Sequence, residues 1–108
     1  MYRALILALP LTLFAFIDAS EANSDGIIAA TQLGAVLAGE KPCGLSFDKG
    51  AVEAYINTRV PASDMSFGSM LQMMVEGQKI TIQEMSSTTR AAFCAQTTRV
   101  ARFNSFIR

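Results

Sequence analysis

The chain has 108 residues, of which nine are Lys or Arg and nine are Asp or Glu, so its formal net charge is zero. This length suits one domain, and the balanced charge argues against a dedicated nucleic-acid binder, whose affinity rests on many phosphate contacts. The sequence has no histidine, which removes the commonest general base, the Ser-His and Cys-His nucleophile pairs and ordinary zinc sites. We therefore expect a protein that is not an enzyme and that holds no metal or other cofactor.

The opening residues, 1–22, have the pattern of a secretory signal peptide. Arg3 precedes an uncharged run over residues 4–17, and Ser20 and Ala22 put small residues at the two positions that a signal peptidase reads. The run is shorter than the ~20 apolar residues that a membrane-spanning helix needs. We expect cleavage after Ala22 and a periplasmic or secreted product without a membrane segment. Retention of the signal as an N-terminal anchor is the alternative.

The domain after the signal peptide covers residues 23–108. Its first helix is predicted for residues 27–38. Its apolar face consists of Ala29, Leu33, Val36 and Leu37. Gly34 weakens it by up to about 1 kcal/mol relative to Ala, and Gly39 marks its end. Because residues 23–42 precede both cysteines, a mobile N-terminal arm is an alternative for this stretch.

The second helix is predicted to start at a cap on Ser46 or Asp48 and to run to about Arg59. The following dipeptide, Val60-Pro61, ends it because the residue before a proline avoids helical angles. Its buried stripe consists of Val52, Tyr55 and Ile56.

The third helix is predicted for residues 65–76, with its end at Gly77. Its apolar face consists of Phe67, Met70, Leu71 and Met74. Residues 78–83 alternate polar and β-branched side chains, which locally suggests a strand. Because a lone strand has nothing to pair with, we expect an extended connector there.

The fourth helix is predicted for residues 84–107, or from a cap at Ser86 or Ser87. Its apolar face consists of Phe93, Val100, Phe103 and Ile107. Arg99 and Arg102 point the other way, and no acid follows Glu84. These cations suit a solvated helix face near a helix C-terminus, and a docking surface for an acidic partner or for anionic lipid headgroups is the alternative.

Cys43 and Cys94 are the only two cysteines of the chain, and in an exported protein they predict one disulfide. The bridge would close a long loop and stabilise the fold by about 4 kcal/mol through the lost entropy of the unfolded chain. Two free thiols or intermolecular bridges are the alternatives. Together these features predict an all-α fold, a small single-domain bundle of three to four short helices with one disulfide after the signal peptide.

A cluster of methionines is the most unusual local feature, and it consists of Met65, Met70, Met73 and Met74. The interpretation we favour is an ordinary core for Met70 and Met74, with Met65 and Met73 partly exposed; an alternative is a Cu(I) site, because thioether ligands select this soft ion. A third interpretation is an adaptable hydrophobic surface for a protein partner.

The run around the second cysteine reads Ala92-Phe93-Cys94-Ala95-Gln96. With this run, and as a small exported helical chain with a single disulfide, the protein resembles the periplasmic acid-stress chaperones of the HdeA type. The resemblance implies that the disulfide ties two helices together and that acid exposes a hydrophobic surface which holds unfolding clients. Those chaperones are rich in acids and lysine, whereas this chain loses two of its nine acids, Asp18 and Glu21, with the signal, and few groups are left to titrate.

The leading functional hypothesis is an exported, non-enzymatic binding or interaction protein. It would present the Met-rich helix or the Arg99–Arg102 face to a protein partner of unknown identity, and the sequence leaves the oligomeric state open. A periplasmic acid-stress holdase chaperone is the first alternative. A small copper-binding protein that uses the Met-rich helix is the second.

Overall fold

The computed structural model describes residues 25–108, and residues 1–24, which hold the predicted signal peptide and its cleavage site, lie outside them. Four α-helices occupy the described part: α1 (residues 25–38), α2 (Lys49–Arg59), α3 (Phe67–Glu84) and α4 (Ser87–Phe103). Residues 25–108 contain no strand. The predicted all-α bundle is thereby confirmed.

Helix α1 supplies most of the fully buried side chains of the core: Ala29, Ala30, Leu33, Val36 and Ala38. Its predicted apolar face is confirmed, because Leu37 also packs against this core. Residues 25–38 therefore lie at the centre of the bundle. They belong to the stretch, residues 23–42, for which a mobile arm was the alternative. Small side chains explain this position, because they let the neighbouring helices approach closely.

Two glycines, one in α1 and one directly after it, mark close approaches to the neighbouring helices α3 and α4. A β-carbon on Gly34 would lie 2.7 Å from the β-carbon of Met74 in α3, and one on Gly39 would lie 3.1 Å from Phe93 and Thr97 of α4. Such distances leave no room for a side chain. The low helix propensity of Gly34 predicts only a weaker helix. In the structure, Gly34 is also the point at which α1 and α3 pack against each other.

Helix α2 follows its prediction closely. The Asp48 side chain caps it by accepting a hydrogen bond from the Gly50 N–H at 3.2 Å, and the helix ends at Arg59, before Val60-Pro61. Its predicted stripe of Val52, Tyr55 and Ile56 packs, half-buried, against the core.

Helix α3 is longer than predicted, and the extended connector over residues 78–83 was wrong. Gly77 does not end the helix, because its φ is negative and the helical conformation continues through it. The position is open, since a β-carbon there would meet no atom within 4 Å. A glycine inside an exposed helix costs only about 1 kcal/mol relative to Ala. Ile82 is 1% exposed, so the burial of this side chain outweighs the local strand preference of its segment.

Helix α4 begins at the alternative start and not at residue 84, since the Ser86 hydroxyl caps it by accepting a hydrogen bond from the Thr89 N–H at 3.2 Å. The Arg90 guanidinium, from the first turn of α4, donates a hydrogen bond to the Ile82 carbonyl in the last turn of α3 at 3.0 Å. The cation satisfies a carbonyl at the negative end of α3, where the helix dipole favours it. Arg90 therefore has a structural role, in contrast to the arginines further along α4.

The predicted end of α4 at Ile107 was wrong, because the helix stops at Phe103. Ser105 adopts a left-handed φ of 63°, and the Phe106 N–H bonds to the Ala101 carbonyl at 2.8 Å while the Ser105 N–H bonds to that of Arg102 at 3.0 Å. This pair of bonds is a Schellman motif. It reverses the chain and buries Phe106 to 1% exposure, whereas Phe103, which was predicted to be buried, is 85% exposed.

The predicted disulfide is confirmed: Cys43, in the loop after α1, is bonded to Cys94 in α4 with their α-carbons 5.3 Å apart. The same loop is held by Glu40, whose carboxylate accepts a hydrogen bond from the Phe47 N–H at 2.7 Å. Helices α2 and α3 lie between the two cysteines in sequence. The crosslink therefore closes a loop that contains half of the bundle.

Candidate functional site

A cluster of three aromatic rings supports the candidate site, and two of them, Tyr55 and Phe106, line it. The Phe106 ring centroid lies 5.8 Å from those of Phe47 and Tyr55, tilted against the first and edge-to-face with the second. The Phe106 carbonyl also accepts a hydrogen bond from the Asp48 N–H at 2.8 Å. The end of the chain is thus fastened to the start of α2, and α2 and α4 are held side by side.

Above this cluster, a groove of about 490 Å³ lies between α1, α2 and α4. We call it the α1/α2/α4 groove. Its volume is within the range of about 300–1,000 Å³ that is usual for ligand-binding clefts. Its apolar lining comes from Leu33, Val36, Tyr55, Phe93, Val100, Phe103 and Phe106. Within the described chain, no Asp or Glu lines it.

Polar side chains at the groove divide into satisfied and available groups. The Thr97 hydroxyl donates to the Phe93 carbonyl at 2.8 Å, and the Asn104 amide nitrogen donates to the Val100 carbonyl at 3.0 Å. Both groups are therefore used within α4. The exposed amide of Gln32 and the amide nitrogen of the exposed Gln96 also lie at the groove, so they can meet polar groups of an incoming segment.

Phe103 forms the rim of the groove on the α4 side. It lines the α1/α2/α4 groove and also a shallower depression with Arg99 and Arg102, so it separates an apolar hollow from a cationic one. A ring that is 85% exposed forgoes about 1.5–3 kcal/mol that burial of a Phe side chain provides. This placement matches the aromatic and arginine anchors that are enriched at protein interfaces.

Arg59 brings a further cation to the groove from the last turn of α2. Its guanidinium carbon lies 5.0 Å from the Tyr55 ring centroid, which is a cation–π contact. The stacking fixes the arginine side chain over the Tyr55 ring while leaving the residue exposed. Tyr55 and Arg59 were not among the predicted site residues; the sequence signal that points to them is their i, i+4 spacing, which places both on one helix face.

The four predicted methionines differ in burial. Met70 packs against the core and Met74 lies against Gly34, whereas Met65 and Met73 are 89% and 62% exposed. The four thioethers thus do not form one face. Within residues 25–108, no group of three or more His, Cys, Asp or Glu side chains is placed to hold a metal ion.

The predicted arginine surface is brought to the candidate site. Arg99 and Arg102 are both exposed, and with Phe103 they line the depression beside the groove. The Arg99 guanidinium makes one side-chain hydrogen bond, to the Gln96 amide oxygen at 3.3 Å. Arg102 lies in the last turn of α4, as the dipole argument for these cations requires.

No protein-family model matches this chain, and neither a curated protein nor a solved structure is significantly similar to it. None of the helices in residues 25–108 is both long enough and apolar enough to cross a membrane. The function of the protein is therefore inferred from the geometry of the groove and its rim.

Proposed function

We propose that the protein is an exported, non-catalytic interaction protein that binds a segment of a partner protein in the α1/α2/α4 groove. The observation that supports this most is the position of Phe103, an aromatic ring 85% exposed at the rim of an apolar groove. A partner side chain in the groove would bury this ring together with Val100 beside it. Burial of both gives a compact hydrophobic centre for an interface.

Export is supported by the signal-like pattern of residues 1–22 and agrees with the Cys43–Cys94 disulfide, because such bonds persist in oxidising compartments such as the periplasm or the cell exterior. A non-catalytic role is supported by the lack of histidine. It is also supported by the groove lining, in which no carboxylate lies beside a nucleophile within the described chain.

Site-specific photo-crosslinking tests this proposal. A benzophenone side chain at Gln96, on the rim of the groove, should give a discrete adduct in the native envelope or culture medium. The same group at Ile80, which is 59% exposed on α3, should not. Adding Phe103→Ser to the chain that carries the benzophenone in place of Gln96 should abolish the adduct. Equal adducts from both positions, or an adduct that survives Phe103→Ser, would contradict the proposal.

A holdase chaperone is the second candidate, and it is favoured by apolar side chains that are exposed away from the groove. Ile27 and Ile28 on α1 and Met73 and Ile80 on α3 are each about half exposed or more. A holdase would use such dispersed surface, so Ile80→Ser and Phe103→Ser should weaken its action alike. Light scattering of a denaturing client at acid pH, with and without the protein, separates this function from binding in the groove.

A further inference from the structure

The charge around the groove mouth is strongly one-sided. Arg59 and Arg102 lie in the last turns of α2 and α4, and Arg99 lies one turn before Arg102. Each helix C-terminus carries about half a negative charge from its dipole. The two termini therefore offset about one of the three positive charges and leave a net of about +2 at the groove.

These three arginines have no carboxylate partner in the described chain. The ion pair found among residues 25–108 joins Lys79 to Glu76 on α3, with 3.3 Å between nitrogen and oxygen. Cations that are unpaired beside an apolar groove without acids form a surface that is complementary to negative charge.

We infer that the occupant of the groove is a peptide segment of a partner protein in which carboxylates flank a large apolar side chain. This inference rests on the proposed function and specifies the chemistry of the partner. The apolar side chain enters the groove against Val100 and Phe103. Carboxylates on its two sides reach Arg59 across the groove and Arg99 and Arg102 beyond the Phe103 ring.

The details of the site favour a peptide over a lipid surface. Guanidinium groups bind carboxylates and phosphates alike through two parallel hydrogen bonds, so the three arginines suit either anion and the shape of the site decides between them. The groove is bounded by three helices and reaches Leu33, which is 2% exposed. A recess of this kind accepts a single side chain, whereas a membrane surface is contacted by a broad apolar face with many cations.

Fluorescence anisotropy of the oxidised protein with defined peptides tests the inference. The probe is a labelled peptide with glutamates on both sides of a Leu-Phe pair. Its controls replace the glutamates with glutamine or lysine, or the Leu-Phe pair with serines. We expect the glutamate peptide to bind about tenfold more tightly than the glutamine peptide at low salt, and the difference to shrink as ionic strength rises.

Protein variants locate the effect on the molecule. Arg99→Gln/Arg102→Gln should weaken binding of the glutamate peptide about tenfold, with a smaller loss for Arg59→Gln, whose side chain also stacks on Tyr55. Lys79→Gln, on α3, is the matched control and should leave affinity unchanged. The arginines are exposed, and thermal unfolding of each variant confirms that the fold is retained.

The possible outcomes separate the inference from the proposed function. Equal affinity for the glutamate and glutamine peptides, with dependence on Phe103, would overturn the acidic partner and retain the groove. Failure of every Leu-Phe peptide to bind would count against both. Tighter arginine-dependent binding to phosphatidylglycerol vesicles than to the glutamate peptide would overturn the peptide in favour of a lipid surface.

Discussion

Replacement of Phe106 and of Phe103 by Ala should have opposite consequences, although the two residues lie in the same short segment. Phe106 is 1% exposed and contacts the rings of Phe47 and Tyr55, whereas Phe103 is 85% exposed. Truncation of a buried Phe removes about 3–5 kcal/mol, including the cavity that remains. Truncation of an exposed one changes stability by at most about 0.5 kcal/mol.

The expected loss at Phe106 is large relative to the whole fold. A domain of roughly 85 residues has a free energy of unfolding of about 4–13 kcal/mol. At about 4–8 °C per kcal/mol, Phe106→Ala should lower the melting temperature by at least about 12 °C, and Phe103→Ala should leave it nearly unchanged.

Circular dichroism at 222 nm during thermal and urea unfolding of the oxidised chain measures both effects. Phe106→Leu, which retains most of the buried volume, is the conservative control and should lose less than Phe106→Ala. Equal losses at the two positions, or a larger loss for Phe103→Ala, would refute the assignment of Phe106 to the core. Such a result would also remove the exposed ring on which the proposed binding site depends.

Three further changes test the fold. Ser105→Gly should raise stability by about 0.5–1 kcal/mol in urea unfolding, because glycine adopts the left-handed conformation without strain; a decrease would contradict the Schellman turn. Gly34→Ala should lower stability by about 1–3 kcal/mol through overpacking against α3. The matched change Gly77→Ala, at an open position, should raise stability by up to about 1 kcal/mol. Similar effects of the two changes would contradict the close approach of α1 and α3. Removal of the Cys43–Cys94 bond by reduction should lower the free energy of unfolding by about 4 kcal/mol, and an unchanged urea midpoint with reductant would argue against its role.

Local signals in the sequence were sufficient where a single residue decides the structure. The cap at Asp48, the stop before Val60-Pro61 and the cap at Ser86 each depend on side-chain or backbone chemistry within a few positions. The two cysteines allow one intramolecular pairing, so the disulfide followed from their number. The exposure of Arg99 and Arg102 also follows from local spacing, which sets both on one side of a helix, whereas their role as a partner surface stays a prediction.

Features that depend on distant contacts were not accessible in this way. Residues 78–83 have a strand-like pattern, but they continue α3 because Ile82 is buried in the folded domain. As a glycine, residue 77 suggests a helix end, but only its backbone conformation in the folded chain decides whether the helix ends there. The groove itself is formed by three helices that are far apart in sequence, so no local pattern indicates it.

The position of Phe103 shows how one backbone conformation creates the candidate site. Residues 93, 100 and 103 all lie within α4, and the left-handed turn at Ser105 removes only residue 107 from the helical period. The turn directs Phe106 into the core, so the core has its aromatic residue without Phe103. A single exposed Phe is ordinary on a protein surface, but this one borders an apolar groove next to arginines that have no carboxylate partner among residues 25–108. This combination is why we propose Phe103 as a binding residue, since the fold does not depend on its burial.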